Sequence, residues 1–179
     1  MQTANKLAEF AASLEYEDIP SSIVDKAKEV ILDTIGVGLG GADAQSSRIL
    51  LDVVSQMGGV EENTIFGHPD RTSCRDAALV NGAMAHALEL EEAQTLPGHP
   101  AVVVLPAALA IAERQHISGR ELIAAFVAGY DIHCRLAHGS KRTAMELGWH
   151  FTSVCGVFGA AAAVGRLLGL DRQWIANAL

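Results

Sequence analysis

The sequence is short of positive charge and of paired cysteines. Its 179 residues include 13 Lys and Arg against 21 Asp and Glu, which gives a formal net charge of -8. Because phosphate binding requires clustered basic side chains, no nucleic-acid partner is expected. The three cysteines, Cys74, Cys134 and Cys155, form an odd set without CxxC spacing. They predict neither a disulfide framework nor a zinc ribbon, and a reducing, cytoplasmic location fits them best.

Targeting and membrane-spanning patterns are also missing. The N-terminal stretch is polar and amphipathic, without the basic start and apolar centre of a secretory signal. The longest uncharged run, residues 93–112, contains three prolines, and the run 151–165 is shorter than the roughly 20 residues that a bilayer requires. Both runs are therefore expected in a protein core, and no membrane partner is expected.

The sequence does contain helical periodicity of its apolar residues. Its composition, 50% hydrophobic and 19% charged, is that of a globular protein. After Pro20, apolar residues recur at three- and four-residue steps up to a glycine cluster at 36–41, which is interpreted as the end of that helix. Residues 74–90 are apolar on every side, which predicts the central helix. Further helices are predicted over 45–57, 101–115, from Ser118 onward and over 153–168, with a short extended piece at 64–66. These patterns predict a compact, multi-helix, all-α fold.

The C-terminal part of the chain has two further features. Small residues dominate 153–168, so neighbouring backbones are expected to approach this helix closely. Asp171 has the position of a helix cap, yet Leu179 follows after only about two turns and without a stop signal. We therefore expect residues 1–179 to form part of a helical domain that is truncated at its C-terminus.

Acidic side chains concentrate where the most buried helix is predicted to end, at Glu89, Glu91 and Glu92. At helical spacing, His86 and Glu89 share a face with Glu92 or with Ala93. Glu91 is expected to point elsewhere and to be solvated. The predicted site therefore includes Glu89 and leaves Glu91 out.

Glu89 and His99 form the predicted catalytic pair. A carboxylate held in an apolar wall has a raised pKa, and an imidazole titrates near neutrality, so such a pair suits proton transfer. Two simpler interpretations stay open. The glutamates can be a solvated helix end, and His86 can be a packed, hydrogen-bonded core histidine.

A second histidine-bearing turn, at His150, precedes the small-residue helix. A histidine near a helix N-terminus is biased toward its neutral form by the helix dipole, which suits a general base or a neutral donor. A capping or loop role is the alternative. Just upstream, Lys141 and Arg142 are candidates for attracting an anionic substrate, although such a pair is usually solvated surface.

No metal or phosphate site is predicted, and no cofactor is expected. The histidines are scattered, and none stands in HExxH or a comparable spacing. The glycine cluster at 36–41 lacks the Lys and Ser or Thr of a phosphate-binding loop and follows a helix instead of a strand.

Several short stretches together resemble the MmgE/PrpD family over nearly the whole chain. They are LDTIG at 32–36, NGA at 81–83 with His86, GHP at 98–100, SGREL at 118–122, AGY at 128–130, GWH at 148–150 and LGLD at 168–171. The resemblance implies a helical domain followed by an α+β lid, which is absent from this chain, with the active site between the two. It also implies homodimers and metal-free lyase chemistry on small di- or tricarboxylic acids. That chemistry is 2-methylcitrate dehydratase-like dehydration in one branch and cis-aconitate-like decarboxylation in another.

The same resemblance places the family's acidic position, its His-Pro histidine and its pre-helix histidine on Glu89, His99 and His150, the predicted catalytic residues. Glu89 departs from the usual Asp by one methylene, and Ala93 stands where members often carry Thr. Because misplacing a catalytic group by about 1 Å is costly, these departures predict a different substrate or reaction.

Substrate binding is predicted for His86, Ala93, Lys141 and Arg142. By the resemblance, the family's catalytic lysines and lid lie beyond the position that matches Leu179. Three interpretations therefore stay open. The chain is a lyase domain, an epimerase or isomerase of the same family, or a non-catalytic helical module that dimerises or pairs with a full-length relative or a missing C-terminal portion.

Overall fold

The computed structural model describes residues 2–95, 98–140 and 146–179. Within these ranges the chain forms eight α-helices, one 3-10 turn and one two-stranded antiparallel sheet. In chain order they are α1 (Gln2–Ser13), the 3-10 turn (Tyr16–Asp18), α2 (Ser21–Gly41), α3 (Gln45–Met57), β1 (Asn63–Thr64), β2 (Arg71–Thr72), α4 (Cys74–His86), α5 (Ala101–Arg114), α6 (Gly119–Ser140), α7 (Phe151–Leu167) and α8 (Arg172–Ala178). The predicted all-α fold is confirmed.

Helix α5 lies at the centre of the fold. It contacts α2, α4, α6 and α7, and its Val104, Leu105 and Ala108 side chains are completely buried. The prediction that residues 74–90 form the central helix is wrong, because α4 leaves Leu79 53% exposed. Helix α5 is the better buried of the two because its sequence carries no charge before Glu113.

The glycine cluster forms the last turns of α2, which ends at Gly41, the last glycine of the cluster. A Cβ atom at Gly38 would lie 2.7 Å from Cδ2 of Phe66, and one at Gly41 would overlap the carbonyl oxygen of Met84 in α4. These glycines let α2 approach α4 closely. The predicted end of the helix at this cluster is confirmed, and two of its glycines also permit the close packing.

Helix α4 begins with a cap and ends earlier than predicted. The Ser73 side chain accepts a hydrogen bond from the backbone N–H of Asp76, which satisfies a free donor of the first turn. The helix ends at His86, four residues before the predicted limit, and Glu89 adopts a left-handed conformation with a φ of 51°. The acidic residues that follow His86 therefore lie in a loop, and the helical-face argument that grouped Glu89 with His86 does not hold.

Helices α6 and α7 approach each other through glycines. A Cβ atom at Gly159 would lie 2.6 Å from the carbonyl oxygen of Gly129, so neither position has room for a side chain. The predicted close approach to the small-residue helix is confirmed. The predicted cap of α8 is also confirmed, because Asp171 Oδ1 accepts a hydrogen bond from the Trp174 N–H at 2.9 Å. Among the described residues, no helix combines the length and the apolar character that crossing a membrane requires.

Candidate active site

Three histidines from separate parts of the chain meet in space. His86 is the last residue of α4, His99 precedes α5 by two residues, and His150 directly precedes α7. The ring centroids of His86 and His99 are 5.2 Å apart, and that of His150 lies 6.1 Å from His86 and 6.4 Å from His99. Three helix ends thus gather imidazoles that are far apart in sequence.

The carboxylate that joins two of these histidines, His86 and His99, is Glu91. Its side chain is completely buried, and its Oε1 contacts Nδ1 of His86 and lies 3.3 Å from Nδ1 of His99. The expectation that Glu91 is solvated is wrong, because α4 stops at His86 and the loop turns Glu91 inward. We refer to His86, Glu91, His99 and His150 as the histidine cluster.

Hydrogen-bond partners identify the donor nitrogen in the rings of His86 and His99. Nδ1 of His99 lies 3.0 Å from the carbonyl oxygen of Glu92 and close to the Glu91 carboxylate, and both are acceptors. Nδ1 of His99 is therefore the donor, which leaves Nε2 as the nitrogen that can accept a proton. The contact of His86 Nδ1 with Glu91 has the same consequence for that ring.

The loop that carries His99 is fastened to the first turn of α7. The His99 N–H donates to Thr152 Oγ1 at 3.0 Å, two residues after His150. Gly98 forms paired backbone hydrogen bonds with Gln94 and has a φ of 78°, and a Cβ there would lie 2.6 Å from Thr152 Oγ1. Glycine is required at this position, and the contact explains why His99 and His150 are neighbours.

Glu89 and Ala93, which the sequence assigns to the site, are both exposed. The carboxylate beside His99 is that of Glu91, so the structure does not show the expected pairing of Glu89 with His99. A catalytic role for Glu89 stays a prediction from the resemblance. The signal for Glu91 in the sequence is weak, because it depends on where α4 ends.

Glu92 is a second acidic group that the site prediction leaves out. Burial raises its pKa to about 7, the negative charges of Glu91 and Asp33 act in the same direction, and a hydrogen bond from the Ala101 N–H opposes them. That hydrogen bond, 2.8 Å long, places Oε1 at the N-terminus of α5. A carboxyl group with a pKa near neutrality is suited to general acid or base catalysis.

A cavity of about 300 Å³ lies next to Glu92. Its wall is mostly apolar and is formed by residues of α2 and α6 together with Gln94. The side chain of Gln94 forms a 2.9 Å hydrogen bond with that of Tyr130 in α6. Burial and the nearby Glu92 raise the pKa of Tyr130, which therefore stays protonated. None of the three clustered histidines lines this cavity, although its volume is in the range of small-ligand sites.

The other predicted site residues have different surroundings. His150 is exposed and caps α7 through its backbone, while its ring stacks toward His86. His86 is hydrogen-bonded as one interpretation expected, but its side chain is 30% exposed and so it is not a core histidine. Lys141 and Arg142 lie outside the described residues, and their predicted role in substrate binding stays a prediction.

Comparison with known proteins identifies the class of this domain. The chain belongs to the MmgE/PrpD family, since the family model of the MmgE/PrpD N-terminal domain matches residues 5–179. The resemblance noted from short sequence stretches is confirmed.

Curated relatives carry a shared name. The chain is 31% identical to cis-aconitate decarboxylase of Homo sapiens over 172 residues, which cover 93% of this chain and 36% of that protein. It is 30% identical to cis-aconitate decarboxylase of Aspergillus terreus over 184 residues, which cover 98% of this chain and 37% of that protein. These relatives are lyases by name, and the chain spans little more than a third of their length.

Proposed function

We propose that this chain supplies the histidine-bearing part of a lyase active site that acts on small di- or tricarboxylic acids. The observation that carries the proposal is the convergence of the His86, His99 and His150 rings, two of which, those of His86 and His99, contact the buried carboxylate of Glu91. Family membership and the decarboxylase names of the relatives support lyase chemistry, either decarboxylation or dehydration.

In this proposal His99 moves a proton at the carbon next to a substrate carboxylate. Glu91 and the Glu92 carbonyl engage Nδ1, so Nε2 accepts the proton. Glu91 holds the ring in place and stabilises the imidazolium that forms, as a buried carboxylate does in a catalytic triad. This removal applies to a dehydration, in which the hydroxyl departs as water with a proton from a second group. In a decarboxylation no carbon-bound proton is removed, because the electron pair of the broken C–C bond stays on the carbon that loses carbon dioxide and protonated Nε2 of His99 delivers a proton to it.

Glu92 and His150 are the proposed partners in this proton transfer. With a pKa of about 7, Glu92 populates both protonation states at neutral pH and can give or take a proton. His150 is on the exposed side of the histidine cluster, where it can donate a hydrogen bond to a substrate carboxylate. A catalytic role for Glu89, which is exposed, is proposed from the family resemblance alone.

A second candidate function is a helical module that associates with a second copy of the chain or with a full-length relative. Its support is the exposed apolar surface beside the histidine cluster, where Leu88, Leu90, Leu147 and Trp149 are 45%, 69%, 72% and 61% exposed. Apolar side chains grouped in this way are typical of surfaces that another protein covers. Sedimentation of the purified chain as a monomer at all concentrations would contradict this candidate.

The lyase proposal is tested by assaying the chain with a panel of citrate-like and aconitate-like acids. Because the proposal gives this chain only part of the active site, slow release of water or carbon dioxide from one of them is expected, with a further loss of turnover of about 100-fold in His99→Ala and His150→Ala. His138→Ala, which changes an exposed histidine on α6, is the control and should keep full turnover. Turnover that survives both active-site changes would refute the site assignment.

A further inference from the structure

We infer that His86, Glu91 and His99 form a binding site for a first-row divalent transition cation such as Zn²⁺ or Co²⁺. One ring nitrogen of each histidine and one carboxylate oxygen of Glu91 all lie within 4.8 Å of one another. Two imidazoles and a carboxylate are donors that these cations favour, and three protein ligands leave a position open for water. The inference goes beyond the proposed function and does not require turnover.

The spacing of the donors fits tetrahedral coordination. Two ligand atoms, each roughly 2.1 Å from one ion, are roughly 3.4 Å apart at a tetrahedral angle. Oε1 of Glu91 and Nδ1 of His99 are 3.3 Å apart. Imidazole rings bound through nitrogen to such an ion have centroids roughly 5 Å apart, and those of His86 and His99 are 5.2 Å apart. The contact of His86 with Glu91 is closer, so it opens when the ion enters.

Burial also favours a cation at this place. The Glu91 side chain has no exposed surface, and its Oε2 has no hydrogen-bond partner in the part of the chain that the structure describes. A buried carboxylate oxygen without a partner is unfavourable, and a bound cation compensates it. The side chains of His86 and His99 are 30% and 20% exposed, which gives an ion a path into the site.

The three cysteines are weak competitors for the ion. Burial raises the pKa of the Cys74 and Cys155 thiols, and burial together with the charges of Asp131 and Glu92 raises that of Cys134 to about 12. Because thiolates are the form that binds metals, protonated thiols leave the histidine and carboxylate donors as the preferred ligands.

Metal binding at this site and proton transfer by His99 exclude each other. Coordination of Nδ1 displaces the proton that this nitrogen carries, and the ring proton then occupies Nε2. In that state His99 has no free nitrogen with which to accept a proton from a substrate. A bound cation therefore acts as an inhibitor of the proposed reaction and not as its cofactor.

Titration of the chelator-treated chain with Co²⁺, followed by visible absorption, tests the site without any substrate. One equivalent is expected to give the d–d bands of a four-coordinate ion, without the near-ultraviolet bands of thiolate ligands, and Zn²⁺ is expected to displace it. Glu91→Gln keeps the shape of the side chain and removes its charge, and His99→Ala removes one donor. Each is expected to weaken binding at least about tenfold.

Matched controls separate this site from general metal binding. Glu89→Gln makes the same chemical change two positions away, on an exposed side chain, and His138→Ala removes an exposed histidine, so both should leave the affinity unchanged. Absence of saturation at one equivalent, or equal losses in Glu89→Gln and Glu91→Gln, overturns the inference. Stoichiometric Co²⁺ binding without lyase turnover would support the metal site and refute the proposed function. Lyase turnover without Co²⁺ binding would support the proposed function and refute the metal site.

Discussion

The interface of α6 with α7 and the loop at 87–100 are built on opposite principles. At the interface, Gly129 and Gly159 bring two backbones together, and the side chains next to them are buried. In the loop, a left-handed Glu89 precedes a buried Glu91 with an unpartnered oxygen and a half-buried Glu92 with a raised pKa. Regular packing therefore supports the fold, and this loop holds two adjacent acidic groups that are unfavourable to bury.

This difference teaches where the chain can carry chemistry. Helix α4 ends at the histidine cluster, and α5 and α7 begin beside it, so these helices position the histidines. The loop supplies the acidic side chains. Unfavourable arrangements persist in proteins where the surrounding structure holds them, and they are frequent at functional sites. Changes in the loop should therefore alter chemistry more than folding, and changes at the interface should do the reverse.

The largest expected effect is on turnover and distinguishes two neighbouring glutamates. Glu91→Gln is expected to lower kcat about 100-fold with little change in KM, because Glu91 acts through the histidines it holds. Glu89→Gln is expected to have a smaller effect, since Glu89 is exposed. Steady-state kinetics on the acid that the chain turns over fastest provides the comparison.

A larger loss of kcat in Glu89→Gln than in Glu91→Gln would favour the assignment made from family resemblance. If Glu89→Gln loses kcat and Glu91→Gln keeps it, the position matched to the family's acidic residue is the important one, and the geometric argument is wrong. Circular dichroism and cooperative unfolding of both variants are needed to show that the loss is not one of folding.

The next effect is on stability and concerns Glu92. Its pKa in the folded state is about 7, against 4.5 for an ordinary glutamate, so the unfolded chain releases this proton first as pH rises. Ionised Glu92 therefore disfavours the folded state, and the free energy of unfolding should decrease between pH 4.5 and about 7. The full shift corresponds to at most about 3 kcal/mol, and partial exposure to water reduces it.

Glu92→Gln isolates this contribution. Urea unfolding of both proteins across the same pH range should show the variant gaining stability relative to the original chain as pH rises. A constant difference between the two proteins would mean that Glu92 has an ordinary pKa in the folded state.

The sequence predicts the helices well because their signals are local. Residues 45–57 correspond to α3 without any error, and the cap at Asp171 is where its side-chain chemistry requires it. The end of α4 is not predicted, because the apolar sequence up to Leu90 favours continuation and only the folded chain stops it at His86. A four-residue error at that end is enough to hide the contacts of Glu91 with His86 and His99.

The meeting of the three histidines is partly predictable. Each stands at a predicted helix end or turn, which is where functional side chains are frequent. That His99 and His150 adjoin depends on the contact of the loop with Thr152, 53 residues away in sequence. No local pattern encodes such a contact, whereas the resemblance to a family selects both residues together.

The smallest expected effect is on stability and concerns the glycines at the interface of α6 with α7. A Cβ at Gly129 would lie 2.8 Å from Cγ1 of Val104 and would also crowd the Gly159 carbonyl. Gly129→Ala is therefore expected to lower the free energy of unfolding by about 1–3 kcal/mol through overpacking.

Gly36→Ala is the matched control, because Gly36 also lies within a helix but a Cβ there meets nothing within 4 Å. It should raise stability by up to about 1 kcal/mol through helix propensity alone. Urea denaturation of the two variants measures both effects, and equal changes would show that the glycines at the interface are not needed for close packing.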